Sequence, residues 1–373
     1  MKPPPTISHL PAKPRILVRG TNWLGDAVMT TPALLRLREK FPEAHIALLA
    51  PEKLRDVWGH HPALNQTITF APDESVFAVG SRLRAERFDL AIILPNSPRS
   101  ALEPWLAGIP RRLGYTRPWR DWLLTLCLSS RPDAIKMQKR TVDEIKHLVN
   151  QPPGFRRRPP ALAHQIYEYL HLMSALGANP EPLPPQLVVT PKEVEAVTKK
   201  FGLENLVRPI LGLNPGAEYG PAKRWPRDKF IAAAHEIRHR INCTWLIFGG
   251  PADKALADHI ESKLPSPPNA VLDLAGKTNL RELMALLKFC QVLLTNDTGP
   301  MHLAAALGTP VVVPFGSTSP ELTGPGLPGD PLHWVLKSDA LCSPCFLREC
   351  PIDFRCMNNI SVQKAVEAVL SAI

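Results

Sequence analysis

No apolar run in this 373-residue chain approaches the ~18–20 residues of a membrane-spanning helix. Its first stretch, MKPPPTISHLPAKP, lacks an apolar h-region, so a secretory signal is not expected and a cytoplasmic location is. No P-loop signature G-x-x-x-x-G-K-[ST] occurs, and no glycine fingerprint of a dinucleotide site opens a helix after a strand. The G-x-S-x-G elbow of an α/β-hydrolase is absent as well. Acidic residues are the minority, 34 against 44 lysines and arginines. The formal charge of +10 points to an anionic partner: a membrane surface, a phosphorylated substrate or nucleic acid. Cysteine is sparse and unevenly placed. Cys127, Cys243 and Cys290 read as single buried thiols, while the others form Cys342-x2-Cys345-x4-Cys350-x5-Cys356. The strong double C-x2-C pattern is missing, so this block suits a structural metal site, reduced thiols or an adventitious disulfide.

What is present is a hydrophobic content of 45%, enough for two globular domains, and 42 prolines. Many prolines fall between elements, which implies stiff connections. Strands alternate with helices twice. In the first half Arg15–Arg19, His45–Ala50 and Asp89–Leu94 read as strands. Helical patterns cover Ala27–Lys40, the stretch from Pro51, Asp73–Phe88 and a segment ending near Gly108. Arg111 to Pro160 interleaves basic and aromatic residues with proline breaks (RRLGYTRPWRDW, KMQKR, QPPGFRRRPP). It reads either as a solvated loop or as a cradle for a phosphorylated or membrane-borne acceptor. Ala161–Gly177 is an amphipathic helix stopped by glycine, and NPEPLPPQLVVTP reads as an interdomain linker. The alternation then restarts, with strands at Ile210–Asn214, Thr244–Phe248, Ala270–Leu274, Val292–Thr295 and Val311–Phe315. Helices Arg227–Arg240, Asp253–Leu264 and Asn279–Cys290 lie between them, and Ser361–Ile373 closes the chain. The fold class is therefore α/β, two doubly wound parallel sheets over 14–182 and 183–373, with ligands expected in a cleft at the carboxyl ends of the strands.

Three loops that follow strands carry the chemistry. Gly20–Asp26 places Asp26 at a helix start, as an N-cap or as a carboxylate able to take a proton from a hydroxyl. Asn214–Trp225, NPGAEYGPAKRW, is stiffened by two glycines and two prolines. It projects Lys223 and Arg224, which can meet a diphosphate, with Glu218 placed to orient one of them; a surface loop with a basic pair is the plainer reading. In the third loop Asn296 or Asp297 can cap a helix whose first turn holds Pro300. Thr298 and Gly299 leave backbone N–H groups open to a phosphate. His302, four residues beyond Thr298, faces the same side or belongs to the core. An ordinary capped βαβ crossover explains the same turn.

Gly20-Thr-Asn-Trp-Leu-Gly-Asp26, Asn214 to Trp225 and Thr295-Asn-Asp-Thr-Gly-Pro-Met-His302 resemble the signature loops of glycosyltransferase family 9. Pro95-Asn96-Ser97 and the Cys342–Cys356 block are similar too, and the resemblance runs over nearly the whole chain from Arg15. It implies a GT-B fold of two Rossmann-like domains facing across a cleft, the first binding acceptor and the second ADP-heptose. It implies inverting transfer of L-glycero-D-manno-heptose onto the first inner-core heptose of lipopolysaccharide. Carried over by motif, Asp26 is the general base and Lys223 neutralises the ADP phosphates. Asn214, Gly216, Glu218, Arg224, Asp297, Thr298, Gly299 and His302 contact the donor; Asn22, Trp23, Asn96 and Ser97 contact the acceptor. No cofactor and no catalytic metal are implied. Two departures stand out. The acidic residue that holds the donor ribose in the family is first met here at Asp253, displaced by Pro251-Ala252, and the basic insert Arg131–Pro160 has no counterpart. The expected partners are an ADP-heptose donor, a lipopolysaccharide inner-core acceptor and, through the basic loops, the anionic inner membrane, but no nucleic acid. The alternatives are another family 9 ADP-sugar transferase with a different acceptor, or a non-catalytic nucleotide-sugar binding protein. Asp26 favours catalysis, since a sensor needs no carboxylate at the sugar carbon.

Overall fold

The computed structural model describes residues 10–151, 161–264 and 270–373, and the arginines of QPPGFRRRPP lie outside them. Two compact units result, each built on one sheet. The first contains β1 (Arg15–Arg19), α1 (Leu24–Met29), α2 (Thr31–Lys40), β2 (His45–Pro51), β3 (Gln66–Phe70), α3 (Val76–Ala85), β4 (Leu90–Ile93), α4 (Pro98–Leu106), β5 (Arg111–Tyr115) and β6 (Leu126–Leu128). The chain then contributes α5 (Val142–Val149) to the second unit, returns with α6 (Ile166–Ser174), and leaves the first unit at Val188. The second unit continues with α7 (Pro191–Lys200), β7 (Ile210–Asn214), α8 (Arg227–Arg240), β8 (Thr244–Ile247), α9 (Lys254–Lys263), β9 (Val271–Asp273) and α10 (Leu280–Phe289). It ends with β10 (Val292–Thr295), α11 (Gly299–Ala306), β11 (Val311–Phe315), α12 (Pro320–Thr323), β12 (His333–Lys337), α13 (Arg355–Asn358) and α14 (Val362–Ser371).

Both sheets are six-stranded and parallel, ordered β3-β2-β1-β4-β5-β6 and β12-β11-β10-β7-β8-β9. Each has one switch point, between β1 and β4 and between β7 and β10, where the crossovers reverse direction. The central strands are apolar between their ends because helices cover both faces: Ile16, Leu17, Val18, Leu293 and Leu294 are fully buried. Basic loop 111–160 is not a single irregular segment, since it supplies β5, β6 and α5. Ile145 of α5 packs into the core of the second unit beside Leu211 and Trp245. Arg140 ties the same segment down through its N–H to Cys345 O at 3.0 Å and its Nε to Pro344 O at 2.9 Å. The helix expected over Ala27–Lys40 is two helices, broken at Thr30. Pro32 has no N–H for the carbonyl of Val28, which accepts from Thr31 Oγ1 instead, at 2.8 Å.

The α7 helix begins with a capping box: Thr190 Oγ1 accepts from Glu193 N at 3.3 Å, and Glu193 Oε2 from Thr190 N at 2.8 Å. Arg281 grips the same carboxylate from α10 at 2.7 Å. Burial raises the Glu193 pKa, but the bonds from Thr190 and Arg281 outweigh it and leave the group below its ordinary 4.5. A carboxylate depressed in this way stabilises the fold above pH 4.5, and that stabilisation disappears as pH falls through the lowered value. In urea unfolding, Thr190→Ala is expected to cost about 1 kcal/mol. Glu193→Gln is expected to lose stability at pH 7 and to show a flatter loss on acidification than the wild type.

Candidate functional site

In open parallel sheets, ligands gather outside the carboxyl ends of the strands at the switch point. The four loops there are the ones that carry the motifs. In the first unit they follow β1 (Gly20–Asp26) and β4 (Pro95–Ser97). Asp26 lies in the first turn of α1, half-buried, and is not its cap; Trp23 takes that position with no side-chain bond. Trp23 is 50% exposed with Lys53 Nζ 5.3 Å from its ring centroid. Asn22 is exposed and accepts from Arg19 Nη1 at 3.1 Å. Asn96 is exposed, and Ser97 caps α4, accepting from Ser100 N at 3.3 Å. Behind this loop α6 carries Tyr169, whose hydroxyl accepts from Gln165 Nε2 at 2.8 Å. Burial first, and the charge of Asp26 second, hold the Tyr169 phenol well above its ordinary pKa.

In the second unit the loops follow β7 (Asn214–Trp225) and β10 (Asn296–His302). Lys223 Nζ pairs with Asp297 Oδ2 at 2.7 Å, and Thr318 Oγ1 donates to the same oxygen at 2.5 Å. Neither Asn296 nor Asp297 caps α11, contrary to expectation. The cap is Thr298, without a side-chain bond, because both preceding side chains are turned toward the β7 loop. Asn296 Oδ1 accepts from Trp225 N at 2.9 Å and its Nδ2 donates to Pro215 O at 2.7 Å. Gly299 opens α11 and Pro300 sits in its first turn, as expected. His302 is 6% exposed and Asn214 is 3% exposed, the latter bonding Thr295 Oγ1 at 2.9 Å, so both are turned inward. Glu218 is exposed and bonds neither Lys223 nor Arg224. The carboxylate beside Arg224 is Asp253, at 3.9 Å. Gly216 lies directly against Asp253: a Cβ there would stand 2.6 Å from the carboxylate. Pro251-Ala252 therefore does not remove an acidic group from this loop.

Two features were out of reach of motif reading. The first is Thr318, in the small polar turn Gly316-Ser-Thr-Ser319 directly after β11, a position whose only sequence signal is its place at a strand end. The second is the role of the cysteine block. Cys342, Cys345 and Cys356 are buried and free, and burial followed by the other thiols pushes Cys356 up to about 12. Among the described residues the four sulfurs are not drawn within 4.8 Å of one another, yet Cys342, Cys345 and Cys356 each have their pKa raised first by burial and also by neighbouring thiols of the same block. The acidic group that does gather, Asp258, Glu261 and Asp273, already holds the ammonium of Lys254, 2.6 Å from Asp273. Cys127 is exposed, not buried, because β6 is an edge strand; Cys243 and Cys290 are buried. The block also straps the site. Tyr219 Oη donates to Phe346 O at 2.9 Å, Ala222 N to Arg348 O at 2.9 Å, and Phe346 N to Ser317 O at 2.6 Å. Lys223 and Arg348 both lie over the Tyr219 ring, at 5.0 and 5.2 Å.

Paired Rossmann-like sheets, one with a carboxylate loop and one with a lysine–aspartate loop at the switch point, make up a GT-B glycosyltransferase. The solved structure of Escherichia coli ADP-heptose lipopolysaccharide heptosyltransferase II matches with a TM-score of 0.75 and 28% identity, over 96% of this chain and 98% of that one. A family 9 glycosyltransferase from Veillonella parvula shares the fold, with a TM-score of 0.76 and 21% identity over 96% and 97%. The family model described as glycosyltransferase family 9 (heptosyltransferase) matches residues 76–354, and the chain belongs to that family. Lipopolysaccharide heptosyltransferase 2 of Salmonella typhimurium is 34% identical, covering 83% of this chain and 85% of the relative. Lipooligosaccharide heptosyltransferase 2 of Haemophilus influenzae is 32% identical over the same shares. Among the described residues no helix is long and apolar enough to cross a membrane.

Gly220 has φ +149°, and a Cβ on it would meet the Arg348 carbonyl oxygen at 2.6 Å, backbone against backbone. Gly220→Ala is expected to cost about 1–3 kcal/mol in thermal or denaturant unfolding through that strain.

Proposed function

We propose that this protein transfers L-glycero-D-manno-heptose, with inversion, from ADP-heptose to the first inner-core heptose of lipopolysaccharide. The observation that carries the reading is the Lys223–Asp297–Thr318 cluster beside the open N–H groups of α11, a built cationic site at the switch point. The names borne by the relatives, heptosyltransferase 2 and ADP-heptose heptosyltransferase II, supply the sugar and the acceptor. The first unit binds acceptor and the second binds donor. Asp26 takes the proton from the acceptor hydroxyl, whose oxygen attacks the anomeric carbon as the bond to the β-phosphate breaks. Charge then grows on the departing ADP, where Lys223 and the N–H groups of Thr298 and Gly299 meet it. Asp297 Oδ1 is left to hold sugar hydroxyls, since Lys223 and Thr318 both use Oδ2. Asp253, pressed against Gly216, is placed to take the ribose hydroxyls. Asn22, Trp23, Asn96 and Ser97 contact the acceptor sugar.

The reaction is placed in the cytoplasm, where a nucleotide-activated sugar is available, at the anionic face of the inner membrane. What favours contact is the loop between β5 and β6. Trp119 is 87% exposed at φ +67° and Trp122 is 66% exposed, its ring 5.8 Å from that of Trp105. Exposed tryptophans beside Arg111, Arg112 and Arg117 suit a lipid–water interface with negative charge.

The decisive assay offers ADP-heptose and a lipid acceptor carrying one inner-core heptose, read by mass spectrometry. Wild type is expected to add one heptose and Asp26→Asn none; a wild type that binds ADP-heptose yet adds nothing contradicts the reading. Lys223→Ala is expected to lower kcat by about 10²–10³-fold with folding intact. Vesicle flotation is expected to require anionic lipid and to weaken in Trp119→Ala/Trp122→Ala; binding indifferent to lipid charge contradicts the membrane surface.

A further inference from the structure

We infer that the buried Arg19–Glu103 ion pair is a positioning device that sets the Gly20–Asp26 loop for transfer, an inference that rests on Asp26 acting as the base. Arg19 is the last residue of β1 and feeds directly into that loop. It is 2% exposed, and Glu103, on α4, is fully buried. Arg19 Nε donates to Glu103 Oε2 at 2.7 Å. Its Nη1 donates to Gly20 O at 2.6 Å and to Asn22 Oδ1 at 3.1 Å. The guanidinium carbon lies 4.5 Å from the ring centroid of Phe70, the last residue of β3. On the other side, Arg99 Nε reaches Glu103 Oε1 at 3.4 Å. One guanidinium thus joins the start of the β1 loop to the end of β3 and to the helix that follows Pro95–Ser97.

Its placement is costly to the fold. Burial pulls the Arg19 pKa below its ordinary value, and the charge of Glu103 lifts only part of it back. Replacing such a pair by apolar side chains of similar volume is often neutral or stabilising, so stability does not account for it. What the apolar pair cannot do is hold a backbone carbonyl and an asparagine amide at fixed angles. The backbone around Gly20 has no slack either: a Cβ there would stand 3.1 Å from Leu48 Cδ1 and 3.2 Å from Leu49 O. The loop is pressed onto β2 from one side and pinned by Arg19 from the other, so its course on the way to Asp26 follows the guanidinium.

The test is Arg19→Met/Glu103→Leu, with Arg19→Lys and Asp26→Asn alongside. The double variant is expected to melt at or above the wild-type temperature while kcat falls at least about tenfold, because misplacement of a reacting group by about 1 Å already costs more than that. KM for ADP-heptose is expected to be unchanged. Arg19→Lys keeps the charge but loses the fork that makes three bonds at once, and is expected to lower kcat with the same unchanged donor KM. If the double variant fails to fold, Arg19→Lys carries the test. Wild-type kcat in a folded Arg19 variant, with Asp26→Asn inactive, overturns the positioning role alone. Normal turnover by Asp26→Asn overturns the assignment of the base instead.

Discussion

One buried amide organises the second unit. Asn296, fully buried at the end of β10, gives its oxygen to Trp225 N and its nitrogen to Pro215 O. It therefore holds both ends of the loop NPGAEYGPAKRW from the neighbouring strand. A buried amide left without partners would cost on the order of 1–3 kcal/mol, so the loop and the strand end specify each other. Lys223 is carried between those two fixed points, and Asp297, the next residue after the staple, receives it at 2.7 Å. The Cys342–Cys356 segment closes the arrangement from outside, through Phe346 and Arg348. Rigidity of this kind suits leaving-group stabilisation, where donors must be in place before charge develops.

The two sheets solve the same geometric problem with different chemistry. Each puts two loops at its switch point, and in each a buried polar side chain at a strand end braces them: Arg19, the last residue of β1, and Asn296, directly after β10. The first unit presents a half-buried carboxylate in a helix first turn. The second presents a lysine, a shared carboxylate and free N–H groups. A base and a set of cations are the two demands of a displacement at a sugar carbon bearing a diphosphate.

Much of this was legible in the sequence, and the exceptions share a cause. Strands buried on both faces read as continuous apolar runs, which is why β1, β7, β10 and β11 stand at their expected bounds. Strands at or next to a sheet edge read less plainly: the edge strands β3 (QTITF) and β12 (HWVLK), and β5 (RRLGY) beside the edge strand β6, mix in polar or basic residues and give no continuous apolar run. The α7 start was readable from Thr190-Pro-Lys-Glu193 but was overshadowed by the prolines before it. At the site, glycine and proline punctuation located all four loops, while partners distant in sequence stayed hidden. Nothing local says that Thr318 bonds Asp297, that Asp253 rather than Glu218 stands by Arg224, or that α5 belongs to the second unit. Those are consequences of parallel topology, which brings loops together from strands far apart along the chain.

A crystal structure with ADP bound would be the most direct measurement. The diphosphate is expected to lie at the start of α11, within hydrogen-bond distance of Lys223 Nζ and of the N–H groups of Thr298 and Gly299. A diphosphate bound away from α11, with Lys223 making no contact to it, would contradict the donor site and the role of the lysine together.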